Sequence, residues 1–312
     1  MVDDGRTSKD GLARRDLIAV GAAAALGAGL AGMADAQVAV HGTTAPGPVP
    51  ANAKPGRIVL ERRGDILLIG LDRAAVQNRL DAPMLIGLGK AYYQLDQDDG
   101  LRVGVLHALG PDFSMGLDVP AFQAAQAAGI LPVKDADYIN PFAFAPPFRA
   151  KPLVVAVQGG VWYGAHEIFL ASDIRVAASD ATFSQGEITR GLFPGGGGTV
   201  RFPREAGWGN AMRYMLTGDT WGAEEAHRMG LVQEITPVGG QLDRALEIAK
   251  KVAACAPIGA RAVIASAHQA IASEEPALAA VRGNFVKLFA TEDFQEARRA
   301  LQEGRGPIFH GN

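Results

Sequence analysis

Residues 156–167 read AVQGGVWYGAHE and combine three local signals in one segment. The apolar run Leu153–Val157 predicts a buried strand, a glycine-containing loop follows it, and the next residues predict a helix over 165–172 that begins near Gly164. The free N–H groups and the positive dipole end at the start of a helix suit a developing oxyanion. Glu167 lies about one helical turn after Gly164 on the same face, so its carboxylate can exchange a proton beside a carbonyl held by the Gly164 N–H.

Two further stretches pair glycine with candidate reacting groups. Residues 112–118 read DFSMGLD, and residues 181–187 read ATFSQGE, followed by Gly191 and the run PGGGGT at 194–199. Glu187 ends a predicted short strand and can face the same pocket as Glu167 from another direction. Two carboxylates can divide the work of base and acid if their surroundings separate their pKa values. The alternative is that both glutamates are ordinary exposed charges, and only the combination of the three stretches argues against it.

The pattern on either side of these stretches predicts strands interleaved with helices, then a helical C-terminal part. The predicted strands are 58–61, 66–71, 102–108, 153–157, 174–177 and 181–184. The predicted helices are 81–95, 120–128, 165–172, 209–217, 222–229, 240–254, 258–273 and 275–303. Residues 138–148 form a proline- and aromatic-rich segment that is either a lid over a pocket or a surface connection. The order of elements predicts an α/β domain with a helical appendage.

Composition excludes several classes of protein. The 312 residues carry 30 Lys and Arg against 33 Asp and Glu, so there is no basic footprint for nucleic acid. A hydrophobic content of 48% excludes wholesale disorder. The single cysteine, Cys255, excludes a disulfide scaffold and is expected in a helix core. The six histidines have no ligand spacing, so we expect no metal site.

Residues 1–36 have the layout of an export signal rather than of a folded element. A polar stretch ends in Arg14-Arg15, an apolar run covers 17–33, and 34–36 read Ala-Asp-Ala, which fits a cleavage site. The paired arginines correspond to the twin-arginine form, and the run is short for a membrane span of ~20 residues. We therefore expect a periplasmic or exported mature chain with no membrane span, or a cytoplasmic one if the leader is not functional. Residues 37–56 are expected to be a flexible arm rich in proline and glycine.

Taken together in this order and spacing, the three stretches resemble the crotonase superfamily, the enoyl-CoA hydratase/isomerase family. The resemblance covers roughly residues 57–309. Smaller pieces that fit it are Asn78, Lys151-Pro152, residues 216–219, residues 230–232 and the tail 294–309. It implies a crotonase-like α/β fold, a spiral of ββα turns, with a catalytic core over 57–238. It also implies that the helical region 239–312 assembles homotrimers or homohexamers.

The resemblance also implies roles for individual residues. Leu117 and Gly164 match the two residues whose backbone N–H groups form the family's oxyanion hole. Glu167 and Glu187 match the two glutamates with which the hydratases hold water and move a proton. Because other branches of the family replace one or both glutamates, retaining the pair favours hydro-lyase chemistry. Further substrate contacts are expected from neighbouring residues, namely Met115, Gly116, Asp118, Trp162, Tyr163, Pro194 and Gly195.

Two departures from the family pattern concern coenzyme A. Val119-Pro120-Ala121 stands where the hydratases have a basic residue, and Glu303-Gly304-Arg305 stands where the family tail has Glu-Lys-Arg. Both missing lysines help to hold CoA in the family.

The prediction is an enoyl-CoA hydratase-like lyase that adds water to, or removes it from, an α,β-unsaturated thioester or related carbonyl compound. The alternative is an exported hydrolase or isomerase of this fold that acts on a free carbonyl compound, such as a β-diketone, without CoA. A third hypothesis is a fold member without activity that is kept as a binding oligomer. No cofactor is expected, since CoA enters only as part of the substrate, and the acyl group is left open.

Two more expectations concern the surroundings of the glutamates. The glycine run 195–198 lacks the lysine of a phosphate-binding loop and is expected to approach Glu187 closely. His166 points about 100° away from Glu167 around the helix, which favours a packed structural histidine over a catalytic one.

Overall fold

The computed structural model describes residues 47–143, 146–190, 192–272, 287 and 290–312. The predicted leader, the first ten residues of the predicted arm and Gly191 lie outside the described residues. Part of the helix predicted over 275–303 lies outside them as well.

The main sheet has six strands in the order β1-β2-β3-β4-β6-β9. Its strands are β1 (Arg57–Arg63), β2 (Ile66–Asp72), β3 (Val103–Ala108), β4 (Leu153–Val157), β6 (Ile174–Ala178) and β9 (Glu234–Thr236). β1 and β2 form an antiparallel hairpin, and the pairs from β2 to β9 are parallel. The central strands are continuous apolar runs because a parallel sheet is covered on both faces. The predicted α/β class is therefore confirmed.

A smaller three-stranded sheet has the order β5-β7-β8, with β5 (Gly160–Trp162), β7 (Thr182–Ser184) and β8 (Thr220–Gly222). β4 runs through Gln158 and Gly159 into β5, so the chain passes from one sheet directly to the other. Ser114 bridges to β5, where its N–H donates to Gly160 O at 2.9 Å and its carbonyl accepts from Trp162 N at 3.0 Å. The first two glycine-containing stretches are therefore neighbours.

The helices surround these two sheets. They are α1 (Ala82–Gln97), α2 (Val119–Ala127), α3 (Gly164–Leu170), α4 (Gly198–Ala206), α5 (Trp208–Met215), α6 (Ala223–Arg228), α7 (Gln241–Ala253), α8 (Pro257–Ala272) and α9 (Glu292–Glu303). Short 3₁₀ turns lie at Ala74–Val76 and Glu187–Arg190. Asp81 caps α1, since its carboxylate accepts from Met84 N at 3.0 Å. In the described part of the chain, no helix is long and apolar enough to cross a membrane.

The sequence reasoning missed α4. Its interior contains Pro203, and it begins at Gly198 directly after a glycine run, so its residues carry weak helix propensity. Tertiary contacts outweigh that propensity, because Phe202 is fully buried in the core.

The two faces of the main sheet are buried against different elements. Alternate residues of β2 point to opposite sides, so that Leu67 and Ile69 join the cluster under α1 and α3 while Leu68 joins a second cluster. In that second cluster Ala245 and Leu246 of α7 cover the sheet. The predicted division between 57–238 and 239–312 stays a prediction.

The expectation that Cys255 lies in a helix core is wrong. It is exposed rather than part of a helix core. The reason is that α7 ends at Ala253, so Cys255 lies beyond the helical turns that carry the buried face.

Candidate active site

Two residues at the junction of the sheets, Leu117 and Gly164, lie close together and have backbone amides that are free in the described part of the chain. Leu80 N donates to Gly116 O at 2.9 Å and Asp118 N donates to Leu80 O at 3.0 Å, which leaves the intervening Leu117 N–H turned to the other side. Gly164 is the first residue of α3, so its N–H has no acceptor within the helix. Within the described residues neither amide has a backbone or side-chain acceptor. A Cβ placed on Gly164 would lie 3.4 Å from Leu117 Cγ, so the structure brings these two predicted residues together.

Glu167 is buried in the first turn of α3, with 3% of its surface exposed. Its Oε1 accepts from Gly196 N at 2.5 Å and from Gly198 N at 2.8 Å. Burial raises the pKa of Glu167 to about 7, although the two amides and the charge of Arg201 act in the opposite direction.

The glycine run therefore holds Glu167, and the expectation that it approaches Glu187 is corrected. The physical reason is α4, whose unpaired N-terminal amides are directed at the Glu167 carboxylate. A side chain at Gly196 would clash with that carboxylate, which explains the need for glycine.

Glu187 begins the 3₁₀ turn that follows β7. Its Oε2 is buried and has no hydrogen-bond partner among the described residues. Burial and then the neighbouring charge of Glu167 raise the pKa of Glu187 to about 8. Because each carboxylate disfavours ionisation of the other, the pair holds roughly one proton near neutral pH.

Gln185 is a site residue that the sequence reasoning missed. It is fully buried, and its Nε2 donates to Tyr163 O at 3.0 Å. That carbonyl and the Gly164 N–H belong to the same peptide unit, so the hydrogen bond holds the orientation of the oxyanion-hole donor and polarises it. The available signal was an amide side chain directly after an apolar strand and two residues before Glu187.

The residues predicted to contact substrate next to Leu117 have defined structural partners. Met115 is buried against Gly160, where an added Cβ would clash with its Sδ. Gly116 packs against Tyr163, since a Cβ there would lie 2.9 Å from Tyr163 Cβ. The Asp118 carboxylate pairs with Arg73 at 2.8 Å and caps α2. Their contacts with substrate stay a prediction.

The remaining predicted contacts lie on the other side of the two amides. Trp162 is buried, and its Nε1 donates to Thr182 Oγ1 at 3.3 Å. Tyr163 has φ 54° and ψ −126°, a backbone conformation that favours glycine, and it faces Arg190. Pro194 is buried and Gly195 exposed, immediately before the loop that holds Glu167.

The proline- and aromatic-rich segment lies beside the site at Phe142. A Cβ on Gly164 would lie 3.6 Å from the Phe142 ring, and Arg201 donates to Phe142 O at 2.8 Å and Ala143 O at 3.0 Å. Phe142 therefore packs beside Gly164, and the choice between a lid and a surface connection for 138–148 stays open. Phe148 is exposed at the other end of the segment.

His166 is buried among aromatic rings, as predicted. The centres of Phe169, Phe183, Phe202 and Trp221 lie 5.2–5.9 Å from its own. Burial, reinforced by the charge of Arg175, lowers the pKa of His166 to about 3, so the ring is neutral near neutral pH. The structural interpretation of His166 is confirmed. Among the described residues, no group of His, Cys, Asp and Glu is arranged to hold a metal ion.

Comparisons with known proteins agree with this geometry. The family model described as enoyl-CoA hydratase/isomerase matches residues 61–312. The enoyl-CoA hydratase EchA19 of Mycobacterium tuberculosis is 32% identical over 256 residues, which cover 80% of this chain and 95% of that protein. The 2,3-dehydroadipyl-CoA hydratase of Escherichia coli K12 is 31% identical over 81% of this chain and 98% of its own length. The crystal structure of a probable enoyl-CoA hydratase/isomerase from Mycobacterium abscessus is 40% identical, with a TM-score of 0.79 over 82% of this chain and 98% of that chain.

Proposed function

Because the chain belongs to the enoyl-CoA hydratase/isomerase family, we propose that it is an enoyl-CoA hydratase that adds water to an α,β-unsaturated acyl-CoA and removes it in reverse. The observation that carries the proposal is a pair of carboxylates with raised pKa values beside two unpaired amides. The reaction needs no cofactor beyond the CoA of the substrate. The alternative, a hydrolase or isomerase acting without CoA, is not favoured by the relatives, whose names specify CoA thioesters.

The thioester oxygen accepts hydrogen bonds from Leu117 N and Gly164 N. These amides stabilise the negative charge that develops on the oxygen when the substrate becomes an enolate. Donors that are fixed before the reaction cost no reorganisation during it, and Gln185 holds one of them in place.

The glutamates move one proton each. Glu167 has the lower pKa, so its ionised form accepts a proton from water while the water oxygen bonds to C3 of the substrate. Glu187 has the higher pKa and, in its protonated form, delivers a proton to C2 as the enolate collapses. After hydration Glu167 is protonated and Glu187 ionised, so one proton must pass to Glu187 before the next cycle. Dehydration runs the same steps backwards.

Turnover of crotonyl-CoA by the purified chain, followed as loss of the enoyl thioester absorbance, tests the proposal. We expect Glu167→Gln and Glu187→Gln each to lose at least ~10²-fold in kcat, the usual cost of removing a placed acid or base. Glu224→Gln is the matched control, because Glu224 is exposed in the first turn of α6. Near-normal turnover in both site variants would reject the assignment, as would preferred turnover of a free enone or β-diketone.

Export is a further part of the proposal. The support is the sequence of residues 1–36, with Arg14-Arg15 before the apolar run and Ala-Asp-Ala at 34–36. In a bacterium with twin-arginine export, the mature chain should appear in the periplasm with Gln37 at its N-terminus. Replacing both arginines by lysine should retain the uncleaved chain in the cytoplasm. A wild-type chain that stays uncleaved in the cytoplasm argues for the cytoplasmic alternative.

We also propose a homotrimer or homohexamer. Four large apolar side chains on and beside α4 and α5 each have more than half of their surface exposed. Exposed apolar surface of this kind is typical of contacts between subunits. These side chains are Phe193, Val200, Trp208 and Leu216. Light scattering coupled to size exclusion should give three or six copies, whereas a monomer at micromolar concentration contradicts this part of the proposal.

A further inference from the structure

Two arginines beside Tyr163 have no ion-pair partner among the described carboxylates. The guanidinium of Arg190 lies 4.5 Å from the centre of the Tyr163 ring. Arg79 is half-buried, and its Nε is buried without a hydrogen-bond partner in the described part of the chain. Neither guanidinium forms an ion pair with a described carboxylate, whereas the buried guanidiniums of Arg73 and Arg175 both do. Arg190 is exposed, but a partly buried cation without a partner, such as Arg79, is costly, and such groups usually serve a ligand.

Arg79 lies beside the oxyanion amides. It immediately precedes Leu80, whose N–H donates to Gly116 O at 2.9 Å, and Gly116 packs directly against Tyr163. The Arg79 carbonyl accepts from Arg73, so the backbone at this point is held in place. Arg190 approaches from the other side, at the end of the 3₁₀ turn that begins with Glu187. The two cations therefore adjoin the reacting centre.

The negative charges in this neighbourhood are already neutralised. The Asp118 carboxylate is bound to Arg73 at 2.8 Å. Burial raises the pKa of Glu187 to about 8, so this group is largely uncharged at neutral pH. Burial and then the positive charge of Arg190 lower the pKa of Arg79, and the charge of Asp118 offsets this lowering only in part.

We propose that Arg79 and Arg190, with the Tyr163 hydroxyl between them, form an anion subsite that binds a carboxylate on the acyl part of the substrate. Guanidinium groups match a carboxylate in shape and form charge-assisted hydrogen bonds, and the phenol adds a neutral donor. The inference rests on the proposed function for the presence of an acyl thioester. It makes enoyl thioesters that carry a second carboxylate the preferred substrates over those, such as crotonyl-CoA, that lack one.

The phosphates of CoA are the other anions of such a substrate. The whole pantetheine arm separates them from the thioester carbonyl, whereas the residues around Tyr163 adjoin the amides that receive that carbonyl. The subsite is therefore assigned to the acyl carboxylate. Whether the two arginines bind the CoA phosphates instead is tested by comparing CoA thioesters with pantetheine thioesters.

The test is a calorimetric comparison of the binding of hexanoyl-CoA and adipyl-CoA to the full chain. These saturated thioesters have acyl chains of equal length, they differ in the terminal carboxylate, and neither can be hydrated. We expect adipyl-CoA to bind wild type about 10-fold tighter, the usual worth of a charge-assisted hydrogen bond. In Arg79→Met and in Arg190→Met that ratio should fall toward one, whereas exposed Arg298→Met should keep it.

Equal affinities of wild type for the two thioesters would overturn the inference, and so would a preference that survives both site substitutions. Arg190 is exposed, so R190M provides the test even if R79M fails to fold. The same measurements with hexanoyl- and adipyl-pantetheine separate the two anions. If the substitutions weaken both CoA thioesters equally and leave both pantetheine thioesters unaffected, the cations bind phosphate and the inference is wrong. A failure of the chain to hydrate crotonyl-CoA rejects the proposed function but does not alter these binding ratios.

Discussion

Gln185 donates a hydrogen bond from its Nε2 to the carbonyl oxygen of Tyr163, at 3.0 Å. The bond fixes the orientation of the peptide unit that also contains the Gly164 N–H. The Tyr163 carbonyl also accepts from Glu167 N at 3.1 Å. One peptide unit thus connects the proposed oxyanion hole, the first glutamate and a buried amide side chain. Gln185 is a positioning residue, because it acts through the Gly164 N–H rather than on the substrate.

Gln185→Leu should lower kcat about 10-fold with little change in KM. The lost hydrogen bond orients a donor that matters most when the enolate charge has developed, and a bond of this kind is worth about 1 kcal/mol or more. Steady-state kinetics with crotonyl-CoA measures both constants. Gln233→Met is the matched control, since Gln233 also donates to a backbone carbonyl, that of Gly230 at 3.0 Å, but is exposed. A change confined to KM would contradict the positioning role.

Gly196→Ala should lose activity, whereas Gly209→Ala should not. A Cβ at Gly196 clashes with the Glu167 carboxylate, and relieving the clash breaks the hydrogen bond from Gly196 N. At Gly209, an exposed position in α5, an added Cβ would meet no atom within 4 Å. We expect a loss of at least ~10-fold in kcat for Gly196→Ala, because a displaced base transfers its proton poorly. Equal activity of the two alanine variants would show that Glu167 does not need the hydrogen bond from Gly196 N.

The pH dependence of kcat/KM should be bell-shaped, with limbs near pH 7 and pH 8. The rate falls on the acid side as Glu167, with a pKa of about 7, gains a proton, and on the alkaline side as Glu187, with a pKa of about 8, loses one. Since the two carboxyl groups interact, the two apparent pKa values in the profile describe the pair rather than either glutamate alone. Measurements with crotonyl-CoA between pH 5 and pH 10 check the profile. A flat rate across this range would mean that the glutamates do not control turnover.

Glu187→Gln should be more stable than wild type at alkaline pH. The pKa of Glu187 is about 8 in the folded chain against an ordinary value of 4.5, so the unfolded chain loses this proton first. The free energy of unfolding of wild type therefore falls as the pH rises from about 4.5 to about 8, and glutamine removes this loss. Tm at pH 9 should rise by at least ~2 °C. At pH 4 the variant and wild type should have similar Tm values, and a variant that is less stable at pH 9 would contradict the assigned pKa.

Much of the site was predictable because its signals are local. Glu167 and Gly164 belong to one helical turn, and the strand Leu153–Val157 that leads to them is a short apolar run. The start of α1, within one residue of the predicted start at 81, is set by Asp81 and Pro83, whose effects reach only a few residues along the chain. Residues 112–118 and 181–187 were assigned to the same site because their order and spacing along the chain resemble those of the family.

The sequence by itself determined the α/β class, the strand–loop–helix around Gly164 and the identities of the two glutamates, because hydrophobic period, caps and glycine turns act over a few residues. Only the tertiary structure decided that the glycine run binds Glu167, 29 and 31 residues away, and that Gln185 holds the Tyr163 carbonyl. Only the tertiary structure brought Arg79 and Arg190 to Tyr163 without an ion pair to any described carboxylate. The physical reason is that burial, which raises both glutamate pKa values, is a property of what packs around a group and has no local signature in the chain.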